Sequence, residues 1–164
     1  MYHLSCQLIL EFQMRLIYTI LAFVIFSKIS LADNLVQPSP DIAPIEVVEI
    51  QLFALQSNGE NDFGIRQTWE FAHPRNKMAT GPLPRFTNMI KTPAYSILLN
   101  NLKFETKEIF NDGTNAGIAV KIEAQDNKAY TYMWTLEKIQ DDGPLKNNWM
   151  TTGVSRPRLL AEGS

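Results

Sequence analysis

The sequence predicts an α+β domain in which helices come first and an antiparallel sheet follows. Between residues 45 and 90, apolar side chains recur at the spacing of α-helices. From Leu102 onwards they alternate with polar side chains, as on half-buried strands, and turn residues such as Asn111-Asp112-Gly113 separate the alternating runs. This order is typical of a fold that packs helices against one face of a sheet.

Composition fits one globular domain and limits its partners. The chain has 164 residues, of which 45% are hydrophobic and 20% are charged, so it can bury enough apolar surface for a core. The formal net charge is −2 and the basic residues are scattered singly, which argues against nucleic acid as a partner. The one cysteine, Cys6, lies near the N-terminus, so the rest of the chain has no thiol for a disulfide or a zinc site.

The N-terminal segment has the organisation of a secretory signal peptide. Within residues 1–32, Arg15 precedes an apolar run over 16–26. The small residues that a signal peptidase requires at −3 and −1 follow, as Ser30 and Ala32. The apolar run is shorter than the roughly 20 residues that span a membrane.

We therefore predict an exported protein that is cleaved between Ala32 and Asp33 and lies in a periplasm, an organelle lumen or the extracellular space. The alternative is an uncleaved membrane anchor over residues 14–32. Met14 fits as the true start, because Glu11 precedes the basic residue and signal peptides begin with a basic region.

The predicted mature chain has three parts. Pro and Ser dominate residues 33–43, which favours an extended linker. The domain is predicted over 44–155 and a short basic tail over 156–164. Within the domain we expect three helices, with the limits 45–57, Asn61 or Asp62 to Ala72, and Pro84 to Pro93. Pro74 is expected to stop the second helix, and His73 to cap its C-terminal end.

About four strands are predicted in the second half of the domain. They are expected near 102–107, 118–123, 130–136 and 148–154. The run from Tyr130 to Leu136 is the strongest β signal, because it places aromatic rings on one parity and smaller residues on the other.

Four motifs occur in a fixed order along the domain. They are Pro44-Ile45-x-Val47-Val48-x-x-Gln51-Leu52-x-Ala54-Leu55, Trp69-x-Phe71-Ala72-x-Pro74, Phe86-x-x-Met89-Ile90-x-x-x-x-Tyr95, and Trp149 with Gly153-Val154. The ordered set resembles an uncharacterised family within the nuclear transport factor 2-like superfamily. The resemblance covers about 44–155 and implies a curved sheet that forms an open cone around the helices. The stretch 142–147 departs from the family pattern as an insertion.

Aromatic side chains supply the candidate pocket, because phenol and indole groups combine an apolar body with a hydrogen-bonding tip. The candidates are Trp69, His73, Tyr95, Tyr130, Tyr132, Trp134 and Trp149. The alternative for the rings is packing in the core or on the sheet, and for His73 it is helix capping. Catalytic members of the superfamily use dyads that cannot be carried over to these positions, so we assign no catalytic residue, metal ligand or cofactor.

Three functions are compatible with the sequence. The first is a non-catalytic exported domain that binds a small apolar ligand or a protein partner. The second, which the resemblance implies, is a lyase- or isomerase-like enzyme that uses His73 or one carboxylate with a tyrosine. The third is a homodimeric assembly module with a mixed aromatic and threonine surface on residues 129–136. A buried acid beside Tyr95 or Tyr132 would favour the enzyme, and an apolar floor would favour binding.

Overall fold

The computed structural model describes residues 34–160, and the predicted leader and its cleavage site lie outside them. The helices are α1 (Pro44–Gln56), α2 (Phe63–Glu70), α3 (Pro74–Thr80) and α4 (Leu83–Ile90), followed by a 3-10 turn at Ser96–Leu98. The strands are β1 (Lys103–Asn111), β2 (Asn115–Glu123), β3 (Ala129–Lys138), β4 (Trp149–Val154) and β5 (Arg158–Leu159). The predicted α+β order is confirmed.

The five strands form one antiparallel sheet in the order β1-β2-β3-β4, and β5 pairs with β3 beside β4. β4 pairs with the second half of β3 and β5 with its first half, so both lie along the same edge. Ser155 joins them, because its N–H donates to Met133 O at 2.9 Å and its Oγ accepts from Met133 N at 2.9 Å. The sheet therefore extends into the predicted tail, residues 156–164, through the pairing of β5.

The turn between β1 and β2 is closed by one carboxylate. Asp112 Oδ1 accepts from the backbone N–H groups of Thr114 at 2.8 Å and Asn115 at 2.6 Å. Gly113, which lies between Asp112 and Thr114, has a φ of 87°, which a glycine adopts without steric cost. The hydrogen bonds from the backbone of Asn115 and Thr114 hold the pKa of the Asp112 carboxyl below its usual range. The turn residues predicted from the sequence thus form the hairpin.

The helices cover one face of the sheet, and alternation along the strands decides which residues face them. The fully buried core side chains include Val48, Leu52 and Leu55 of α1 with Ile118, Ile122, Trp134 and Leu136 of the sheet. Tyr132 and Trp134 are both buried on this face. Of the mixed aromatic and threonine surface expected on residues 129–136, these two rings are therefore absent: the opposite parity carries smaller side chains such as the exposed Thr135, and Tyr130 is half-buried.

Four helices are present among the described residues where three were predicted. Proline at 74 does not simply end a helix: α2 stops at Glu70, and Pro74 is the first residue of α3. Proline fits the first helical position, because its fixed φ suits a helix and its missing N–H would have no helical partner there. The other three helices agree with the predicted ones to within a few residues.

The predicted linker contacts the domain through Val36 and Ile42. Val36 N donates to Gln67 Oε1 at 2.7 Å, and Gln67 Nε2 donates back to Val36 O at 2.8 Å. Gln67 is buried in α2, and Ile42 packs against the core. Residues 35–43 form no helix or strand, and this reciprocal pair attaches Val36 to α2.

α1 and α2 approach each other closely at Gly64. A Cβ atom at this position would lie 2.2 Å from the carbonyl oxygen of Ala54, a backbone atom that cannot move aside cheaply. The start of α2 is held by Asn58 Oδ1, which accepts from Ile65 N at 3.2 Å, and by Asn61 Oδ1, which accepts from Phe63 N at 3.2 Å. Asp62 instead binds Lys91, with 2.7 Å between Oδ2 and Nζ.

We expect Gly64→Ala to lower the free energy of unfolding by about 1–3 kcal/mol or more, because the added methyl group pushes α1 and α2 apart. Chemical denaturation measures the change. Gly59→Ala is the control, since its Cβ would have its nearest contact at 3.7 Å, with Asn61 Oδ1, and should change stability by less than about 0.5 kcal/mol. Equal stability of the two variants would contradict the close approach.

Candidate functional site

A cavity of about 160 Å³ lies between the four helices and the β3–β4 side of the sheet. Its apolar walls come from Leu55, Ala72, Phe86, Met89, Ile90, Leu98, Gly153 and Val154. Its polar groups are the amides, hydroxyls and indole of Gln51, Thr68, Asn76, Thr80, Tyr95, Trp134 and Thr151. The lining contains no Asp, Glu, His, Lys or Arg side chain.

One polar group of the cavity is the fully buried side-chain amide of Gln51. Its Oε1 accepts from Trp134 Nε1 and from Thr151 Oγ1, each at 3.0 Å. Its Nε2 donates to Thr68 O at 3.2 Å. Gln51 is fully buried, so these bonds replace water that the amide would otherwise need. The two donors on one oxygen also fix which way the amide points.

The α3 side of the cavity is tied to the free edge of β4. Thr151 N donates to Phe71 O at 2.8 Å, and Thr151 O accepts from His73 N at 2.9 Å. The same carbonyl accepts from Asn76 Nδ2 at 3.3 Å. Across the cavity, the Tyr95 hydroxyl donates to Val154 O at 3.2 Å. Both sides of the cavity are thus anchored on the backbone of β4.

Of the seven predicted pocket residues, the structure brings only Tyr95 and Trp134 into this cavity. Tyr132 is buried beside Trp134, with ring centroids 5.9 Å apart, and its hydroxyl donates to Ala94 O at 3.1 Å. Burial raises the pKa of Tyr132 well above its usual range. The Tyr130 hydroxyl donates to Asp126 at 2.9 Å on the surface. These two phenols are structural.

The remaining two indoles also pack rather than line the cavity. Trp69 is half-buried, with its ring 5.0 Å from that of Phe86 and the Lys77 ammonium 5.4 Å away. Trp149 is buried at the start of β4, with Lys138 Nζ 5.8 Å from its ring. The core-packing alternative describes both residues.

His73 lies away from the cavity, in a second and more open hollow of about 360 Å³ beside the loop between β3 and β4. Its Nδ1 accepts from Arg75 N at 3.0 Å, so it caps the start of α3. The prediction that His73 caps the C-terminal end of the preceding helix is wrong, because α2 ends at Glu70 and Pro74 begins a new helix, whose first turn His73 caps instead. Burial, with a smaller contribution from Arg75, lowers the pKa of His73, while Glu137 and Asp141 oppose the shift.

Sequence reasoning missed the amide and hydroxyl groups of the cavity. Gln51 falls on the apolar stripe of α1 between Val48 and Leu55, and a polar residue on a buried helix face is a signal that it has partners. Thr151 and Asn76 carry no such signal, because their role depends on where β4 meets the residues before α3.

Comparison with protein-family models, curated proteins and solved structures gives no match for this chain. Within residues 34–160, no three His, Cys, Asp or Glu side chains lie close enough together to hold a metal ion. In the same part of the chain, no helix has the length and apolar character to cross a membrane.

Gln51→Met should lower the free energy of unfolding by about 2–5 kcal/mol. Methionine keeps the volume of the side chain but leaves the Trp134 N–H and the Thr151 hydroxyl without their acceptor, and each unsatisfied buried group costs about 1–3 kcal/mol. Chemical denaturation measures the loss. Gln140→Met is the matched control, because Gln140 is exposed and its Nε2 donates to the nearby Lys138 carbonyl. A loss no larger than that of the control would show that the amide is dispensable.

Because His73 caps α3 with a lowered pKa, the free energy of unfolding should depend on pH. Since the pKa of folded His73 lies below its ordinary value of about 6.5, the folded chain binds fewer protons there than the unfolded chain does. The contribution to stability is present above pH about 6.5 and is lost as the pH falls through the lower folded pKa.

We expect the melting temperature to fall more between pH 7.5 and pH 5 for the wild type than for His73→Asn. Asparagine can accept from the same backbone N–H but does not titrate. Carboxylates titrate alike in both proteins, so the difference between their pH profiles isolates His73. Superimposable profiles would refute the role of the neutral imidazole.

Proposed function

We propose that the protein is an exported binding domain whose cavity holds one small, neutral and mainly apolar molecule. The observation that carries this proposal is the lining of the cavity, which combines apolar walls with amide and hydroxyl groups and contains no charged side chain. A charged ligand would lose its hydration there without gaining a counter-charge, whereas an apolar ring would lose unfavourable contact with water.

The volume of the cavity sets the size of the ligand. An engineered apolar cavity of about 150 Å³ in another protein takes up benzene, so about 160 Å³ is suited to one ring or a branched chain of similar size. Asn76 adds a point of polar recognition. Its Nδ2 is used by Thr151 O, and no hydrogen bond of the described residues ends on its Oδ1. A ligand with one hydroxyl or amine donor complements that oxygen.

A lyase- or isomerase-like enzyme is the less favoured candidate. Such reactions need an acid or base that is positioned on the substrate. The lining contains no Asp, Glu, His, Lys or Arg, and the hydroxyl of its one tyrosine, Tyr95, already donates to Val154 O. His73 faces the second hollow, with its Nδ1 occupied by the cap of α3. The lining therefore favours binding.

The remaining parts of the proposal rest on the sequence. The ordered motifs over 44–155 support a nuclear transport factor 2-like cone, and helices packed on one face of an antiparallel sheet are compatible with it. The basic residue, apolar run and small residues before Asp33 support cleavage of a leader and export.

Native mass spectrometry of the protein recovered from its own cells tests export and binding separately. We expect a mass that begins at Asp33, with one small molecule added. In Ala72→Leu the larger side chain fills part of the cavity, so the mass should begin at the same residue without the added molecule. Ala79→Leu is the matched control, because Ala79 is an exposed residue of α3, and it should retain the ligand.

A pair of probe molecules tests the chemistry of the site. We expect benzyl alcohol to shift the indole N–H resonance of Trp134, which lies in the cavity wall. Benzoate has the same ring but a negative charge, and it should bind at least about tenfold more weakly. Ala72→Leu should weaken binding of benzyl alcohol to a similar degree. Equal binding of both probes, or no effect of Ala72→Leu, would contradict the proposed ligand class. A mass that retains residues 14–32 would contradict cleavage alone.

A further inference from the structure

Four of the eight large hydrophobic side chains that are exposed among the described residues lie on or beside one strand, β1. Of the large hydrophobic residues there that are exposed, Leu102, Ile109 and Phe110 lie on or next to β1, with exposures of 47%, 52% and 49%. Phe53 of α1, at 60%, packs against Phe104 of β1 with ring centroids 4.7 Å apart. Concentrated exposed apolar surface of this kind is typical of an interaction site.

The same strand is the end of the sheet. β1 pairs with β2 on one side only, so its other backbone edge has no strand partner among the described residues. Such an edge presents a row of N–H and C=O groups that can pair with another strand. The regular part of β1 runs from Lys103 to Glu108, because the pairing with β2 shifts register between Glu108 and Phe110.

The charges on β1 alternate in a way that distinguishes between partner registers. Lys103, Glu105 and Lys107 are exposed and lie on the face away from the helices. Phe104 and Thr106 point to the helix side, where the Thr106 hydroxyl donates to Glu49 Oε1 at 2.7 Å. In a continuous antiparallel sheet, directly opposed residues share a face, so only residues of the same parity can oppose each other across a joint between two copies.

Two registers of that kind place most of residues 103–108 of one copy opposite the same segment of the other copy. If Glu105 lies on the two-fold axis, Glu105 opposes Glu105, and Lys103 opposes Lys107, so every charged pair repels. If Thr106 lies on the axis, Glu105 of each copy opposes Lys107 of the other, and both charged pairs attract. Cross-strand pairs of opposite charge stabilise a sheet and like charges destabilise it.

We propose that two copies of this chain pair through their β1 edges, antiparallel about a two-fold axis at Thr106, to form one continuous sheet. In this arrangement Phe104 opposes Glu108 of the second copy, and Phe53 borders the joint on the helix side. The contact is a single strand with its flanking side chains, which places it among weak and reversible interfaces. A dissociation constant on the order of 10 µM is expected for such a contact.

Charge reversal tests this register. In sedimentation equilibrium of the full protein as purified from its host, we expect the wild type to form dimers. Lys107→Glu places a glutamate opposite Glu105 of the other copy, and Glu105→Lys places a lysine opposite Lys107 of the other copy. Both charged pairs then repel, so each variant alone should dissociate at least about tenfold more readily. A mixture of the two variants should form heterodimers, because Lys at 105 then meets Glu at 107 and Glu at 105 meets Lys at 107. Circular dichroism checks that each variant is folded.

Lys128→Glu is the matched control for Lys107→Glu, because it changes the net charge by the same amount but lies in the exposed turn between β2 and β3. It should leave the dimer unchanged. The proposal is overturned if the wild type stays monomeric at about 1 mM, which is far above the expected dissociation constant. It is also overturned if the single reversals dimerise like the wild type, or if their mixture does not form the heterodimer.

Discussion

The arrangement of the domain depends on one buried amide. Gln51 of α1 accepts hydrogen bonds from Trp134 of β3 and Thr151 of β4, and donates to the carbonyl of Thr68 in α2. Apolar contacts would tolerate sliding of α1 over the sheet by a fraction of a residue, because they are non-directional. Hydrogen bonds in a dry interior do not tolerate it, because an unpaired donor costs more than a shifted methyl group. The amide thereby fixes the position of the helix layer on the strands.

The cavity follows from the same set of bonds. Gln51, Thr68, Trp134 and Thr151 satisfy one another, so their polar atoms can line a space without requiring ordered water. The space itself remains because several lining positions carry short side chains, among them Ala72, Gly153 and Thr80. The polar atoms around Gln51 already have hydrogen-bond partners, and these lining positions carry short side chains. Together these two features explain why the site suits a neutral molecule.

The sequence predicted the helices and strands better than it predicted which side chains contact one another. Alternation of apolar and polar residues identified the strands, because it shows which side chains of a half-buried strand face the core. It does not show what those side chains contact, so Tyr132 and Trp149 fitted a pocket as well as Trp134 did. Pro74 was ambiguous in a different way, since the same residue that ends one helix is favoured at the first position of the next. Thr151 became part of the site only through a parallel bridge to Ala72, which no local pattern encodes.

The cavity and the β1 edge lie on different parts of the domain. The walls of the cavity come from the helices, the turn after α4, β3 and β4, whereas β1 is separated from β4 by β2 and β3. Pairing at β1 therefore leaves the cavity walls uncovered. α1 is the element that contributes to both, with Gln51 in the cavity and Glu49 on Thr106 of β1. Any influence of ligand on pairing has its most direct route through this helix, and Gln51 holds it in register. A ligand that leaves the Gln51 bonds intact should then be indifferent to the state of the β1 edge.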